Sequence, residues 1–136
     1  MSVKPSQQTF CFLKPETVKG RLVGEVLGRL ERKGFTLKAL KLHHMTKHEA
    51  EQLYAIHKAK SFFQELVSHV TSGPVVLMLL EAPDAVETLR RVIGNTDPRT
   101  AEPGTIRGDL SLSITANIIH ASDSSMNAEK ESTLFF

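Results

Sequence analysis

The sequence predicts an α/β fold. The specific form is a ferredoxin-like β-α-β-β-α-β two-layer sandwich with an antiparallel four-stranded sheet, an inserted helix pair and a long loop before the last strand. Three observations lead there. Short apolar runs closed by Gly or Pro alternate with stretches whose apolar residues return every three or four positions. Val75 to Leu80 is apolar throughout and lies between turn signals, as suits a strand covered on both faces. A chain of 136 residues has room for one domain with a single core, spanning 1–136.

The elements follow in order. Thr9 to Leu13 is an apolar run that Lys14-Pro15 stops, because Pro15 has no amide proton for a continuing ladder. From Arg21 to Lys33 the positions Leu22, Val23, Val26, Leu27 and Leu30 keep the helical repeat, and Gly34 supplies the stop. Gly24 and Gly28 share one face of that helix at a cost in helix propensity. This suggests close packing, against a partner subunit for instance.

Phe35 to Leu42 alternates roughly, with Leu40 and Leu42 on one face and Phe35, Leu37 and Ala39 on the other. Thr46 and Glu49 have capping-box spacing ahead of a helix through Ala50, Leu53, Tyr54 and His57. A second short helix carries Phe62, Phe63, Leu66, Val67 and Val70. Ser72-Gly73-Pro74 punctuates before the run from Val75 to Leu80. Asp84 to Ile93 is helical, with Gly94 ending it. Gly94 to Gly108 is a long polar loop, a type that is usually functional or disordered. Asn117 to His120 reads as the last strand, and Met126 to Phe135 as a closing helix with Ala128 and Leu134 inward.

Composition narrows the function. Hydrophobic residues make up 40% and charged residues 24%, as in a soluble globular protein. A net charge of +2 is too small to argue for nucleic acid or an anionic membrane. The longest apolar run falls far short of a membrane helix, and Met1 to Gln8 has no apolar stretch to act as a secretory signal. The single cysteine, Cys11, excludes an intrachain disulfide and fits the cytoplasm.

His120 closes an apolar strand and opens the polar turn Ala121 to Ser125. A lone strand-end histidine is ordinarily structural, but its neutral ring is also a nucleophile near pH 7. Glu131 in the last helix could orient it, with Ser122 in the same network. A phosphoryl acceptor needs cations around the transferring oxygens. The candidates are Lys14, Arg107 and Arg90, which shares a helical face with Val86 and Ile93. Thr96 offers a hydroxyl. Tyr54 reads first as a core tyrosine. Phe62 and Phe63 cannot both point inward, so one could face a nucleobase. No glycine-rich phosphate loop is present. His43, His44 and His48 straddle a strand-to-helix junction without a cysteine partner, and read as surface histidines rather than a zinc site.

These residues sit in blocks that resemble the nucleoside diphosphate kinase family from Thr9 to Phe136. The blocks are Leu13-Lys14-Pro15, Gly20-Arg21-Leu22-Val23-Gly24, Ser72-Gly73-Pro74-Val75, the stretch Pro103 to Asp109 and, above all, Asn117-Ile118-Ile119-His120-Ala121-Ser122-Asp123-Ser124. The resemblance implies a ping-pong reaction. His120 takes the γ-phosphate of a Mg-bound nucleoside triphosphate, chiefly ATP, and passes it to a nucleoside diphosphate with broad base acceptance. It also implies roles for individual side chains. Lys14 would meet phosphate and the ribose hydroxyl, and Asn117 the 3′-hydroxyl. Tyr54 would line the site beside the histidine. Arg90, Thr96 and Arg107 would hold the phosphates, while Glu131 and Ser122 would support His120. Phe62 would stack on the base in a slot completed by Leu66 and Ile114. Mg²⁺ would be held mainly by substrate phosphates and water, with Asp123 reaching it through water.

The implied assembly is a homo-oligomer built from dimers, a hexamer or a tetramer, with the 94–108 loop at trimer contacts in hexamers. The chain departs from the family pattern in several places. Glu16 replaces an Asp, Ala121 a Gly, Ala116 an Arg and Lys60-Ser61 an Arg-Pro. The family's usual C-terminal extension, which braces neighbouring subunits, does not follow Phe136, so assembly size stays open. Two other readings also remain: a catalytically weak relative that binds nucleotide or nucleic acid, and a purely structural oligomeric module. The complete set His120, Lys14, Arg90, Arg107, Asn117 and Glu131 favours the enzyme, and no long basic run or repeated aromatic platform supports nucleic acid.

Overall fold

The computed structural model describes residues 5–111, 113–114 and 116–136. Met1 to Lys4, part of the segment read for a leader, lie outside them. Strand β1 (Ser6–Leu13) leads through helices α1 (Pro15–Lys19) and α2 (Val23–Lys33) to β2 (Thr36–His43). Helices α3 (Lys47–Leu53) and α4 (Phe63–Val70) precede β3 (Val75–Pro83). Then come α5 (Ala85–Ile93), α6 (Ile106–Leu110), β4 (Ile119–Ala121) and α7 (Ser125–Ser132). The sheet order is β2-β3-β1-β4 with every neighbouring pair antiparallel, the ferredoxin-like arrangement expected.

β1 is central and buried from Thr9 to Leu13. Alternation sends its side chains to two separate cores. Cys11 and Leu13 pack with Val26 and Leu30 of α2 and with Leu89 and Ile93 of α5. Phe10 and Phe12 pack with Leu53, Tyr54, Phe63 and Val67 of the inserted helices, and with Ala128 and Phe135 at the closing helix. The inserted pair and α7 thus cover the sheet face that a plain two-layer sandwich leaves open. This double cover explains why β3 reads as a continuous apolar run.

Several boundaries differ from the sequence reading, each for a local reason. Pro15 stops β1 but also starts α1, since a proline fits the first helical turn. α2 begins at Val23, not Arg21, because Arg21 takes φ +60° in the turn between the helices. Gly34 ends α2 at φ +117°, as a left-handed stop should. Among the described residues, Gly24 has no close packing partner, and Gly28 is approached by the side chain of Arg32. A Cβ at Gly24 would meet nothing within 4 Å, and the nearest atom to one at Gly28 would be in the Arg32 guanidinium, at 3.1 Å.

An irregularity between Leu37 and Ala39 shifts the β2 register, so Leu37 faces the same side as Leu40 and Leu42 rather than the opposite one. All three remain exposed on this edge strand.

The Thr46–Glu49 capping box forms in both directions. The helix it starts ends at Leu53, and Ala55–His57 is a separate 3₁₀ turn. Phe62 caps α4 instead of lying inside it. It is 42% exposed, while Phe63 is buried. The polar loop after Gly94 is internally bonded through Asp97, Arg99 and Thr100. It ends at Thr105, which caps α6 through the Gly108 amide. The last strand is Ile119–Ala121, because Ile118 turns at φ +80° and cannot join the ladder.

Gly108 is fixed by space: a Cβ there would overlap the Glu102 carbonyl. Gly108→Ala is therefore expected to cost roughly 2 kcal/mol of stability, the scale of overpacking, read as a fall in denaturation midpoint at unchanged m-value.

Candidate active site

The site is built where β1 ends. Phe12 pairs with His120 and Leu13 with Ile119. Just beyond, the Lys14 amide donates to the Ile118 carbonyl at 2.9 Å. That short ladder carries His120 to the mouth of a cavity of about 570 Å³. Lys14, Tyr54, Phe62, Leu66, Arg90 and Thr96 line the cavity, as do Arg107, Ile114, Asn117, His120, Asp123 and Glu131. Of the sequence-named site residues only Ser122 is not in the lining. It lies behind the histidine, buried, with its hydroxyl donating to Glu131 at 3.0 Å.

His120 is held on three sides. Its Nε2 lies 2.7 Å from Glu131 Oε1. Phe12 stacks on one ring face with centroids 4.9 Å apart, and Tyr54 meets the ring edge-on at 6.0 Å. A carboxylate at Nε2 fixes the tautomer with the proton there, which leaves the lone pair on Nδ1. α7 supplies that carboxylate because Ser124 caps the helix immediately after the turn that follows β4, aiming Glu131 back at the strand.

Two of the three cations, Lys14 and Arg107, are partly desolvated. Lys14 is buried, and its Nζ donates to Asn117 Oδ1 at 2.7 Å. Burial pushes its pKa down to about 8, and nearby Arg107 adds to this against the opposing pull of Glu16. Arg107 is lowered to about 10, first by burial and then by Arg90. Its guanidinium donates to the carbonyls of Asn117 (3.1 Å), Gly94 (3.1 Å) and Ile119 (2.7 Å). Three of its five N–H groups thus tie the loop before α6 to the strand that bears His120. Arg90 is exposed and approaches the Ala121 carbonyl at 3.4 Å. Thr96 accepts from Asn117 Nδ2 through its backbone carbonyl, at 3.0 Å.

Ile114 is 56% exposed and, with Phe62 and Leu66, forms an apolar end to the cavity. Lys60 Nζ lies 5.6 Å from the Phe62 ring centroid. Ala121 lies within β4 at an ordinary negative φ, so the methyl group in place of glycine costs nothing there.

His57 was not singled out from sequence as a site residue. It lines the cavity beside Phe62, with ring centroids 5.5 Å apart, and its buried Nδ1 has no hydrogen-bond partner among the described residues. The periodic pattern placed it on a helix, and only the 3₁₀ turn after Leu53 brings it to the cavity. His43, His44 and His48 have separate partners in Glu49, Thr71 and Gln52.

A family model described as nucleoside diphosphate kinase matches residues 7–136. The chain belongs to the nucleoside diphosphate kinase family. A nucleoside diphosphate kinase of Saccharolobus solfataricus is 53% identical over 131 residues, covering 96% of this chain and 95% of the relative. Another from Hyperthermus butylicus is 54% identical over 132 residues, covering 97% and 93%. Among solved structures, the Halobacterium salinarum nucleoside diphosphate kinase in complex with CDP superposes with a TM-score of 0.94. It is 40% identical and covers 97% of this chain and 88% of that one. The apo enzyme from Encephalitozoon cuniculi gives the same TM-score and identity, with 96% and 88% covered. As a nucleoside diphosphate kinase, the protein is a phosphotransferase.

A role for Lys14 in nucleotide capture would carry a pH dependence. A lowered pKa means the charge is lost as pH rises through about 8, so kcat/KM for ATP should fall above that value and hold below it. A profile flat from pH 7 to 9.5 would show that Lys14 does not supply the charge that captures the nucleotide.

Proposed function

We propose that His120 Nδ1 carries the phosphoryl group between nucleoside triphosphate and nucleoside diphosphate, with the cavity residues in the roles described below. The observation that supports this most directly is the Glu131 carboxylate on Nε2, at 2.7 Å, in a cavity that also gathers Lys14, Arg90 and Arg107. In the first half-reaction the Nδ1 lone pair attacks the γ-phosphorus, and the bond to the β,γ-bridging oxygen breaks. The diphosphate leaves with that electron pair. Glu131, itself held by the Ser122 hydroxyl, holds the ring as positive charge develops on it. In the second half-reaction a terminal oxygen of another diphosphate attacks phosphorus and the nitrogen leaves, restoring His120.

Lys14, Arg90 and Arg107 surround the transferring oxygens, and the partial desolvation of Lys14 and Arg107 strengthens their interaction with developing charge. Thr96 completes the phosphate contacts. Asn117, already bonded to Lys14, meets the sugar hydroxyls. Phe62, Leu66 and Ile114 take the base by stacking and apolar contact, which reads no base edge and supports broad base acceptance. The CDP held by the Halobacterium salinarum relative supports a nucleoside diphosphate as the ligand here.

The side chains suit a Mg²⁺ that arrives with the substrate. Among the described residues no group of three or more His, Cys, Asp or Glu side chains could hold an ion. Asp123 lines the cavity, and the hydrogen bond from Asn127, at 2.6 Å, holds its carboxyl below the usual range despite some burial. It remains anionic and can take a metal-bound water. Bound to the triphosphate, Mg²⁺ would neutralise charge on the leaving diphosphate.

A homo-oligomer built from dimers is part of the same proposal. The exposed row Leu37, Leu40 and Leu42 on an unpaired sheet edge supports it, as does the bare Gly24 position. Cytoplasmic residence is supported by the use of a single cysteine, Cys11, buried in β1 with its thiol pushed up by burial.

Incubation with Mg-ATP and no acceptor, followed by intact mass measurement without acid, should show one phosphate adduct that GDP discharges as GTP. His120→Ala should give neither adduct nor GTP, and transfer surviving in that variant would refute the carrier. Arg107→Ala should lower kcat on the order of 100-fold or more while leaving the ratio of ATP to GTP use unchanged, because it serves phosphate and backbone rather than base.

A further inference from the structure

Ile118 is a β-branched residue at φ +80°, a backbone region that such residues rarely adopt without support from their surroundings. Its carbonyl is held by Thr17 Oγ1 at 2.7 Å and by the Lys14 amide at 2.9 Å. Its own amide donates to Glu16 Oε2 at 3.0 Å. The other oxygen of that carboxylate lies 2.7 Å from His69 Nε2, on α4. Both side chains are mostly shielded, His69 at 22% and Glu16 at 20% exposure. Burial works against ionisation of Glu16, but the His69 and backbone bonds outweigh it and keep the carboxyl below its usual range.

We propose that His69 and Glu16 are positioning residues for phosphoryl transfer, a relay from α4 that holds the Ile118 amide and thereby fixes Asn117 and His120 on either side of it. This rests on the reading of His120 as the carrier. Neither side chain lines the nucleotide cavity. Their influence passes through one peptide. A carboxylate held at both oxygens cannot rotate away from the amide, whereas one released by His69 can. Ile118 would then bury an N–H without an acceptor, and the left-handed turn would lose one of its three restraints.

The consequences converge on the site. On one side, Asn117 holds Lys14 Nζ and the Thr96 carbonyl. On the other, the Ile119 carbonyl holds Arg107, and His120 follows it. Relaxation of this turn would displace cation and nucleophile together, and phosphoryl transfer is sensitive to displacements of about 1 Å. The relay also starts on the helix that bears Leu66, so it joins the apolar base slot to the backbone under the histidine.

The test combines rapid-quench measurement of His120 phosphorylation by Mg-ATP, ADP affinity, and amide hydrogen exchange at Ile118. His69→Ala should slow phosphorylation about tenfold, move ADP affinity less than about threefold and speed Ile118 exchange. His69→Gln, which retains an N–H donor, should recover most of the rate. Adding Glu16→Gln to His69→Ala should cost less than about twofold more, since both act through one amide. A wild-type phosphorylation rate in His69→Ala, or independent losses that multiply in the double variant, would overturn the proposal. Rapid Ile118 exchange in the unaltered protein would also overturn it, whatever the variants do. If His120→Ala kept transferring phosphate, the carrier assignment would fall, while Ile118 exchange would still report on the relay separately.

Discussion

The site depends on the grip that the buried end of β1 keeps on a strand of only three residues, Ile119 to Ala121. β4 is too short to hold itself in place. β1 can hold it because both of its own faces are packed, Phe10 and Phe12 into one core, Cys11 and Leu13 into the other. A strand fixed in that way offers its partner no freedom to slide, because a one-residue slip would exchange the two faces. His120 therefore inherits its position from the hydrophobic effect, and its orientation from a few polar contacts.

Those contacts divide into two kinds. Glu131, Phe12 and Tyr54 act on the ring itself, and Ser122 acts through Glu131. Arg107, Asn117, Glu16 and Thr17 act on the backbone beside it, and Lys14 contributes to both strand and cavity. Arg107 shows why the two are hard to separate. The guanidinium that faces the cavity also ties Gly94 and Ile119 together, joining the start of the long loop to the strand that bears His120. Keeping Lys14 and Arg107 away from water disfavours their charged forms and lowers their pKa values.

The fold class was legible in the sequence because it rests on patterns of short range. The apolar run of β3, the helical repeats of α2 and α5, the Gly34 stop and the Thr46–Glu49 cap are all readable from neighbours along the chain. Errors gathered where the backbone departs from a repeat. Arg21 and Ile118 take positive φ without being glycine, the irregularity after Leu37 reverses a face, and the helix through Tyr54 breaks into a 3₁₀ turn. None of these has a marker in residue type, since each is imposed by packing or hydrogen bonds from elsewhere.

By itself, then, the sequence determined the order of the four strands and the longer helices, though not the short α1 and α6, together with the chemical inventory and, through its motif blocks, the family. Those depend on local periodicity and on residue identity, which the chain carries explicitly. Only the tertiary structure decided that Glu131 lies on Nε2, that Arg107 spends three donors on backbone, that His57 reaches the cavity and that His69 reaches Ile118 through Glu16. The partners in these contacts lie up to 102 positions apart in the chain, as Glu16 and Ile118 do. Distance along a chain says nothing about distance in space until two packed cores have fixed where each strand and helix must lie.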